Sequence, residues 1–101
     1  MNKAARIFSA LSEPARLEML LALSKKSGCV SALRLRVKRS QPNVSQHLRV
    51  LREAGLVSYR REGKKICYSV SNPEIVALVS AASKLGGKTS GNAAAVPNRR
   101  F

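Results

Sequence analysis

The sequence predicts a mostly α chain with a small β-hairpin: five helices, the hairpin lying between the fourth and the fifth. Three observations support this. Apolar residues recur at helical spacing in successive stretches bounded by Ser, Asn, Pro or Gly. Two runs of alternating apolar and polar residues flank Glu62-Gly63. The length, 101 residues, suits one domain with a modest core.

Residues 2–11 set Ile7, Phe8 and Leu11 on one face of a first helix, with Lys3 and Arg6 elsewhere on its surface. Ser12 offers an N-cap side chain for a second helix. Glu13 then meets the positive end of the dipole, and Pro14 sits where no N–H is needed. That helix runs through PARLEMLLALSKK, with Leu17, Leu20, Leu21 and Leu23 as its apolar stripe, and Gly28 stops it. The stretch GCVS can add a short strand before a third helix over residues 31–39. There Leu33, Leu35 and Val37 alternate with Arg34, Arg36 and Lys38, which is the period of a strand. Leu and Arg are good helix formers, and a capped helix follows after a very short turn, so a helix is expected.

Ser40 caps the fourth helix, with Pro42 in its first turn and Gly55 at its end. Val44, Leu48 and Leu51 recur at i, i+4 and i+7 and face the core. The outer arc then holds Pro42, Asn43, Gln46 and Arg49, with Gln41 and Ser45 at its flanks. In the hairpin, Val57, Tyr59, Ile66, Tyr68 and Val70 are expected to share a buried face, and the tip carries Arg60, Arg61, Lys64 and Lys65. Asn72 and Pro73 open a fifth helix with Ile75, Val76, Leu78, Val79, Ala82 and Leu85. Its apolar residues wrap more than one face, which asks for a second covering surface from a partner chain. Residues 1–85 are thus read as one domain, and residues 86–101, small, polar and basic, as a flexible tail.

Nineteen Lys and Arg against five Asp and Glu give a formal charge of +14, a field that attracts polyanions. Nucleic acid, an anionic membrane and an acidic protein all fit that field. No stretch approaches the ~20 apolar residues of a membrane span, and no signal-peptide core opens the chain, so a cytoplasmic location without membrane contact is expected. Aromatics are 4% of the chain and none is interleaved with the basic patches, which speaks against base-stacking recognition of RNA. One histidine, two cysteines and five acids offer no nucleophile, base and orienting group at a recognisable spacing. No enzyme, small-molecule substrate or cofactor is expected.

Helix, short turn, capped helix and basic hairpin is the order of a winged helix-turn-helix. In that arrangement the second helix of the pair enters the major groove of double-stranded DNA, where amides and Arg bond base edges bidentately. Gln41, Asn43, Ser45, Gln46 and Arg49 are the candidate base readers; the alternative is a solvated helix face. Ser40, His47, Arg60, Arg61, Lys64 and Lys65 are candidates for contact with the DNA backbone or minor groove. His47 lies close to the apolar arc and is also read as a boundary histidine. The competing function is a general basic nucleic-acid-binding protein without a sensed ligand.

The strings ALSEPARLEMLLAL, SQPNVSQHLRVLREAGLV and REGKKICYSV resemble the ArsR/SmtB family of prokaryotic winged-helix repressors, over most of residues 4–72. The resemblance implies a homodimer, joined through its first and last helices, that binds an inverted repeat overlapping a promoter. Ile7, Phe8, Leu11, Ile75, Leu78, Val79 and Ala82 would then line the seam. Metal- and arsenic-sensing members open the third helix with a motif like E-L-C-V-C-D-L. Here SGCVSAL keeps only Cys29, with Ser31 and Ala32 in place of the second thiol and the acid, and the last helix offers only Glu74. No metal site is expected.

Cys29 and Cys67 form no disulfide framework and no CxxC-type spacing. If GCVS pairs with the second strand of the hairpin, both thiols lie on the face opposite Val30, Ile66 and Tyr68 and can meet. A disulfide there would make the regulator thiol-responsive by coupling oxidation to wing position. The other reading is two small half-buried residues without function.

Overall fold

The computed structural model describes residues 2–92, with side chains as far as residue 86. Asn2 starts α1 (Lys3–Leu11) by accepting the Ala5 N–H on its side-chain oxygen at 2.8 Å. The helix ends at Ser12, whose hydroxyl donates to the Ser9 carbonyl at 2.7 Å. Ser12 therefore closes α1 and does not cap the next helix, contrary to the sequence expectation. Glu13 takes the N-cap position of α2 (Pro14–Lys25) without a side-chain bond, and Pro14 removes one of the N–H groups a cap would have served. At the other end of α2 the Arg36 guanidinium donates to the carbonyls of Ala22 and Lys26, where the backbone offers acceptors and the dipole is negative.

After β1 (Gly28–Cys29) the chain enters α3 (Val30–Val37). The Leu–Arg alternation does not make a strand. Leu33 and Val37, four apart, are buried on one face, while Leu35 is 68% exposed. Lys38, in the left-handed region at φ 58°, closes α3 and turns the chain within two residues into α4 (Gln41–Glu53).

Ser40 accepts the Asn43 N–H at 3.3 Å and caps α4, whose Val44, Leu48 and Leu51 are fully buried. Gly55, at φ 80°, ends it in a Schellman motif: the Leu56 N–H reaches the Leu51 carbonyl and the Gly55 N–H the Arg52 carbonyl, each at 2.9 Å. With Met19, Leu20, Leu33 and Leu56, the inner stripe of α4 forms the centre of the core.

Strands β2 (Val57–Glu62) and β3 (Lys65–Val70) form the hairpin, with Glu62 opposite Lys65 and Gly63 at φ 65° in the turn. The antiparallel sheet runs β1-β3-β2, with Gly28 opposite Tyr68 and Cys29 opposite Cys67. Of the five residues expected on the buried face, Val57 and Tyr68 are buried and Ile66 and Val70 half-buried, whereas Tyr59 is 49% exposed. β2 leaves the core immediately after Val57, so alternation continues beyond the point where there is a core to face.

Asn72 accepts the Glu74 N–H at 2.8 Å and opens α5 (Pro73–Asn92). Val79, expected at a dimer seam, is only 2% exposed and belongs to this chain's own core. The helix also continues through Gly86, past the residue 85 boundary where the tail was expected, as far as Asn92. Once a helix is nucleated each further residue adds a hydrogen bond, and a glycine costs about 1 kcal/mol without forbidding it. The rest of the expected tail, 93–101, lies outside the described residues.

Leu48 sits at the centre of this packing, so Leu48→Ala leaves a cavity that neighbouring helices only partly close. We expect a loss of about 2–5 kcal/mol, read in urea titration as a lower midpoint at unchanged slope.

Candidate nucleic-acid interface

Burial of Val44, Leu48 and Leu51 turns the opposite arc of α4 to solvent, and Gln41, Ser45, Gln46 and Arg49 are exposed along it. Arg49 pairs with Glu53 at 3.7 Å, one turn on, with both side chains in solvent. Such a pair is worth about 0.3–0.5 kcal/mol and exchanges readily for another acceptor. Asn43 departs from the expectation. It is half-buried, and its side-chain oxygen is buried with no hydrogen-bond partner among the described residues. Its position on the arc brings it to the margin of the outer face.

His47 is half-buried, its Nδ1 3.5 Å from Nη1 of Arg16, whose Nε donates to the Ala10 carbonyl at 2.7 Å. It sits at the boundary between α2 and α4. Ser40 is exposed, with its oxygen engaged by the cap. In the hairpin Arg60, Arg61, Lys64 and Lys65 are all exposed. Arg60 is paired with Glu62, while among the described residues no ion pair engages Arg61, Lys64 or Lys65. The hairpin and the first turn of α4 face each other across a cleft of about 370 Å³, lined by Gln41 and Ser45 on one side and Lys64 and Lys65 on the other.

A stack that the sequence did not reveal connects the other end of α4 to the hairpin. The Arg52 guanidinium lies 4.9 Å from the centroid of the Tyr59 ring, and Tyr59 meets Tyr68 at 5.7 Å with planes tilted by 55°. The available signal was an Arg and a Tyr on either side of the Gly55 turn, but their contact depends on how sharply that turn folds back. Arg39 also bonds Glu18 at 3.4 Å, joining the α3–α4 turn to α2.

The thiols of Cys29 and Cys67 are free and half-buried. The Ser31 hydroxyl, 3.3 Å from Cys29, holds that thiol below its ordinary range, helped by the charge of Lys65. Partial burial, with the Glu62 carboxylate 3.7 Å away, pushes Cys67 up. Among the described residues no three His, Cys, Asp or Glu side chains cluster as metal ligands would. Phe8 is 59% exposed on α1, and Leu78 and Leu85 are 39% and 69% exposed on α5.

The profile of bacterial regulatory proteins of the arsR family matches residues 13–59, from the start of α2 into β2. The probable mercury resistance operon repressor of Streptomyces lividans is 40% identical over 92 residues, which are 91% of this chain and 71% of that protein. The chain belongs to the arsR family. A transcriptional repressor SmtB homolog of Synechocystis is 40% identical over 74 residues, 73% of this chain; the match spans 56% of that relative's length. The crystal structure of NolR from Sinorhizobium fredii superposes on this arsR-family chain with a TM-score of 0.75 at 40% identity, covering 82% of this chain and 83% of NolR. The protein is a winged helix-turn-helix transcription regulator of the arsR family, with α3 and α4 as the helix pair and β2–β3 as the wing.

The Arg52–Tyr59 stack is exposed, and a double-mutant cycle of Arg52→Ala with Tyr59→Leu is expected to return a coupling of about 0.5–1 kcal/mol in urea unfolding.

Proposed function

We propose that this arsR-family regulator represses transcription as a homodimer on an inverted-repeat operator in double-stranded DNA. α4 enters the major groove, Gln46 and Arg49 read base edges, and Gln41 and Ser45 contribute from the flanks. Asn43 adds at most its exposed margin. Arg61, Lys64 and Lys65 neutralise phosphates, and Arg60 joins them when it exchanges Glu62 for a phosphate oxygen. Ser40, its oxygen held by the cap, still has a hydroxyl proton to donate to the backbone, whereas His47 serves chiefly to seat α4 on α2.

The observation that carries this reading is the cleft in which the exposed start of α4 and the exposed Lys64 and Lys65 of the wing face each other. One surface thus offers base-edge donors beside phosphate-binding charge. Repression is supported by the relative from Streptomyces, named as an operon repressor. The dimer is supported by exposed Phe8, Leu78 and Leu85; Ile7, Leu11 and Ile75 flank them half-buried. Two-fold symmetry would set the paired α4 helices about 34 Å apart, one turn of DNA. Its work is binding rather than catalysis, and its place is the cytoplasm, with the chromosome. No helix among the described residues is long and apolar enough to cross a membrane.

With the duplex upstream of the protein's own gene, Gln46→Ala and Arg49→Ala should each cost about 1–3 kcal/mol of affinity and much less on random duplex. Lys64→Ala should weaken both DNAs alike and reduce the salt slope by about one. Equal losses on both DNAs from all three changes would identify a general nucleic-acid binder instead.

Sedimentation tests the seam. The reduced wild type should run as a dimer at micromolar concentration and Leu78→Glu as a folded monomer, because a buried unpaired carboxylate costs more than the apolar contact returns. A monomeric wild type would remove the dimer from the proposal.

A further inference from the structure

The two cysteines are chemistry that DNA binding leaves unused. They stand directly opposite each other where β1 pairs antiparallel with β3, Cys29 against Cys67. Residues opposed in this way point to the same side of a sheet, with Cα atoms about 4.5–5.5 Å apart, inside the range of about 4.4–6.8 Å that a disulfide spans. Neither thiol is sealed in the core. Cys29 borders the cleft of about 370 Å³ beside the wing, and Cys67 a second hollow of about 190 Å³, both open to a small oxidant. Their surroundings also differ in a useful sense. Ser31 favours the thiolate at Cys29, while Cys67 keeps its proton and donates it in a hydrogen bond to the Glu62 carboxylate. A thiolate attacks and a neighbouring thiol resolves.

We propose that Cys29 and Cys67 form a reversible cross-strand disulfide when a hydroperoxide reaches them, and that this bond ties the wing to the start of α3 and weakens operator binding. The Cys29 thiolate attacks one peroxide oxygen and the O–O bond breaks. The proton lost by that thiol goes to the departing oxygen, leaving a sulfenic acid and an alcohol, or water when the oxidant is hydrogen peroxide. The Cys67 sulfur then attacks the sulfenic sulfur. The S–S bond forms, the S–O bond breaks, and hydroxide leaves as water with the Cys67 proton. Two thiols lose two electrons in all, one peroxide gains them, and an external thiol reverses the bond.

Cys29 occupies the N-cap position of α3, and Cys67 faces Arg60 across the hairpin. Closing the pair from an ordinary cross-strand Cβ separation of about 4.5–5.5 Å to the roughly 3.8 Å of a disulfide draws β3 toward β1 and carries the wing with it. Cys67 also gives up its bond to Glu62, which leaves that carboxylate freer among the wing cations. Both changes work against the phosphate contacts. The effect on DNA rests on the proposed function; formation of the bond does not.

The full chain, reduced and desalted, is treated with one equivalent of hydrogen peroxide. We expect loss of both thiols, a mass lower by about 2 Da without cross-linked dimers, and recovery with dithiothreitol. Cys67→Ser should stop at a sulfenic acid on Cys29 that a 1,3-diketone captures. The oxidised wild type should bind the upstream duplex several-fold less tightly than the reduced protein, while Cys29→Ser and Cys67→Ser show no peroxide effect on binding. Survival of both thiols, a disulfide between chains, or an internal disulfide with unchanged affinity would each overturn the switch. Should the reduced protein fail to prefer the upstream duplex over random DNA, the operator reading falls, while thiol counts and mass still decide the bond.

Discussion

Burial of one stripe on α4 is the constraint from which the rest of the surface follows. Val44, Leu48 and Leu51 are wholly enclosed, and a helix that commits one side so completely has no rotational freedom left for the other. Gln46 and Arg49 are therefore presented to solvent by the hydrophobic effect acting on their neighbours. Ser40 and Gly55 set where that helix begins and ends, by a side-chain cap and a left-handed residue respectively. The polar arc is aimed by the apolar one.

The wing has little core of its own, since β2 is buried only at Val57. It is held instead from two sides. β1 pairs with β3 along one edge, and the Arg52–Tyr59–Tyr68 stack leans the hairpin on the last turn of α4. These are contacts of modest energy, about 0.5–1 kcal/mol for an exposed cation–π pair, against several for a buried leucine. A hairpin so attached keeps its register while its tip stays adjustable, which suits an element that lays charge along an irregular polyanion.

Most of the fold was legible because local and long-range signals agreed. In α4 the cap, the stripe and the terminal glycine all mark one segment, and the structure follows them. Legibility failed where one residue could serve two neighbours. Ser12 can close one helix or open the next, and only the geometry of the α1–α2 corner decides. Tyr59 continues an alternation whose inner side runs out of core, and Val79 lies on a helix with two apolar sides, of which sequence cannot say which is internal. The glycines after residue 85 read as a stop, yet a helix already under way passes through them. In the candidate site the exposure of Gln46 and Arg49 followed from periodicity. The half-burial of Asn43 and the Arg52 stack did not, because both depend on contacts between elements distant in sequence or turned back on each other.

The arginines that brace this fold have a consequence for how its charge is distributed. Arg16, Arg36, Arg39 and Arg52 reach carbonyls, a carboxylate or a ring, using the planar fork that lysine lacks. Among the described residues no lysine side chain makes an ion pair. These four guanidinium groups act as girders, while the exposed Arg49, Arg60 and Arg61 join the lysines in a loosely held counterion-exchanging coat. Natural variation in overall basicity can accordingly run through the lysines without disturbing the scaffold, whereas an arginine exchanged for lysine at a girder would preserve the electrostatic sum and loosen the joint.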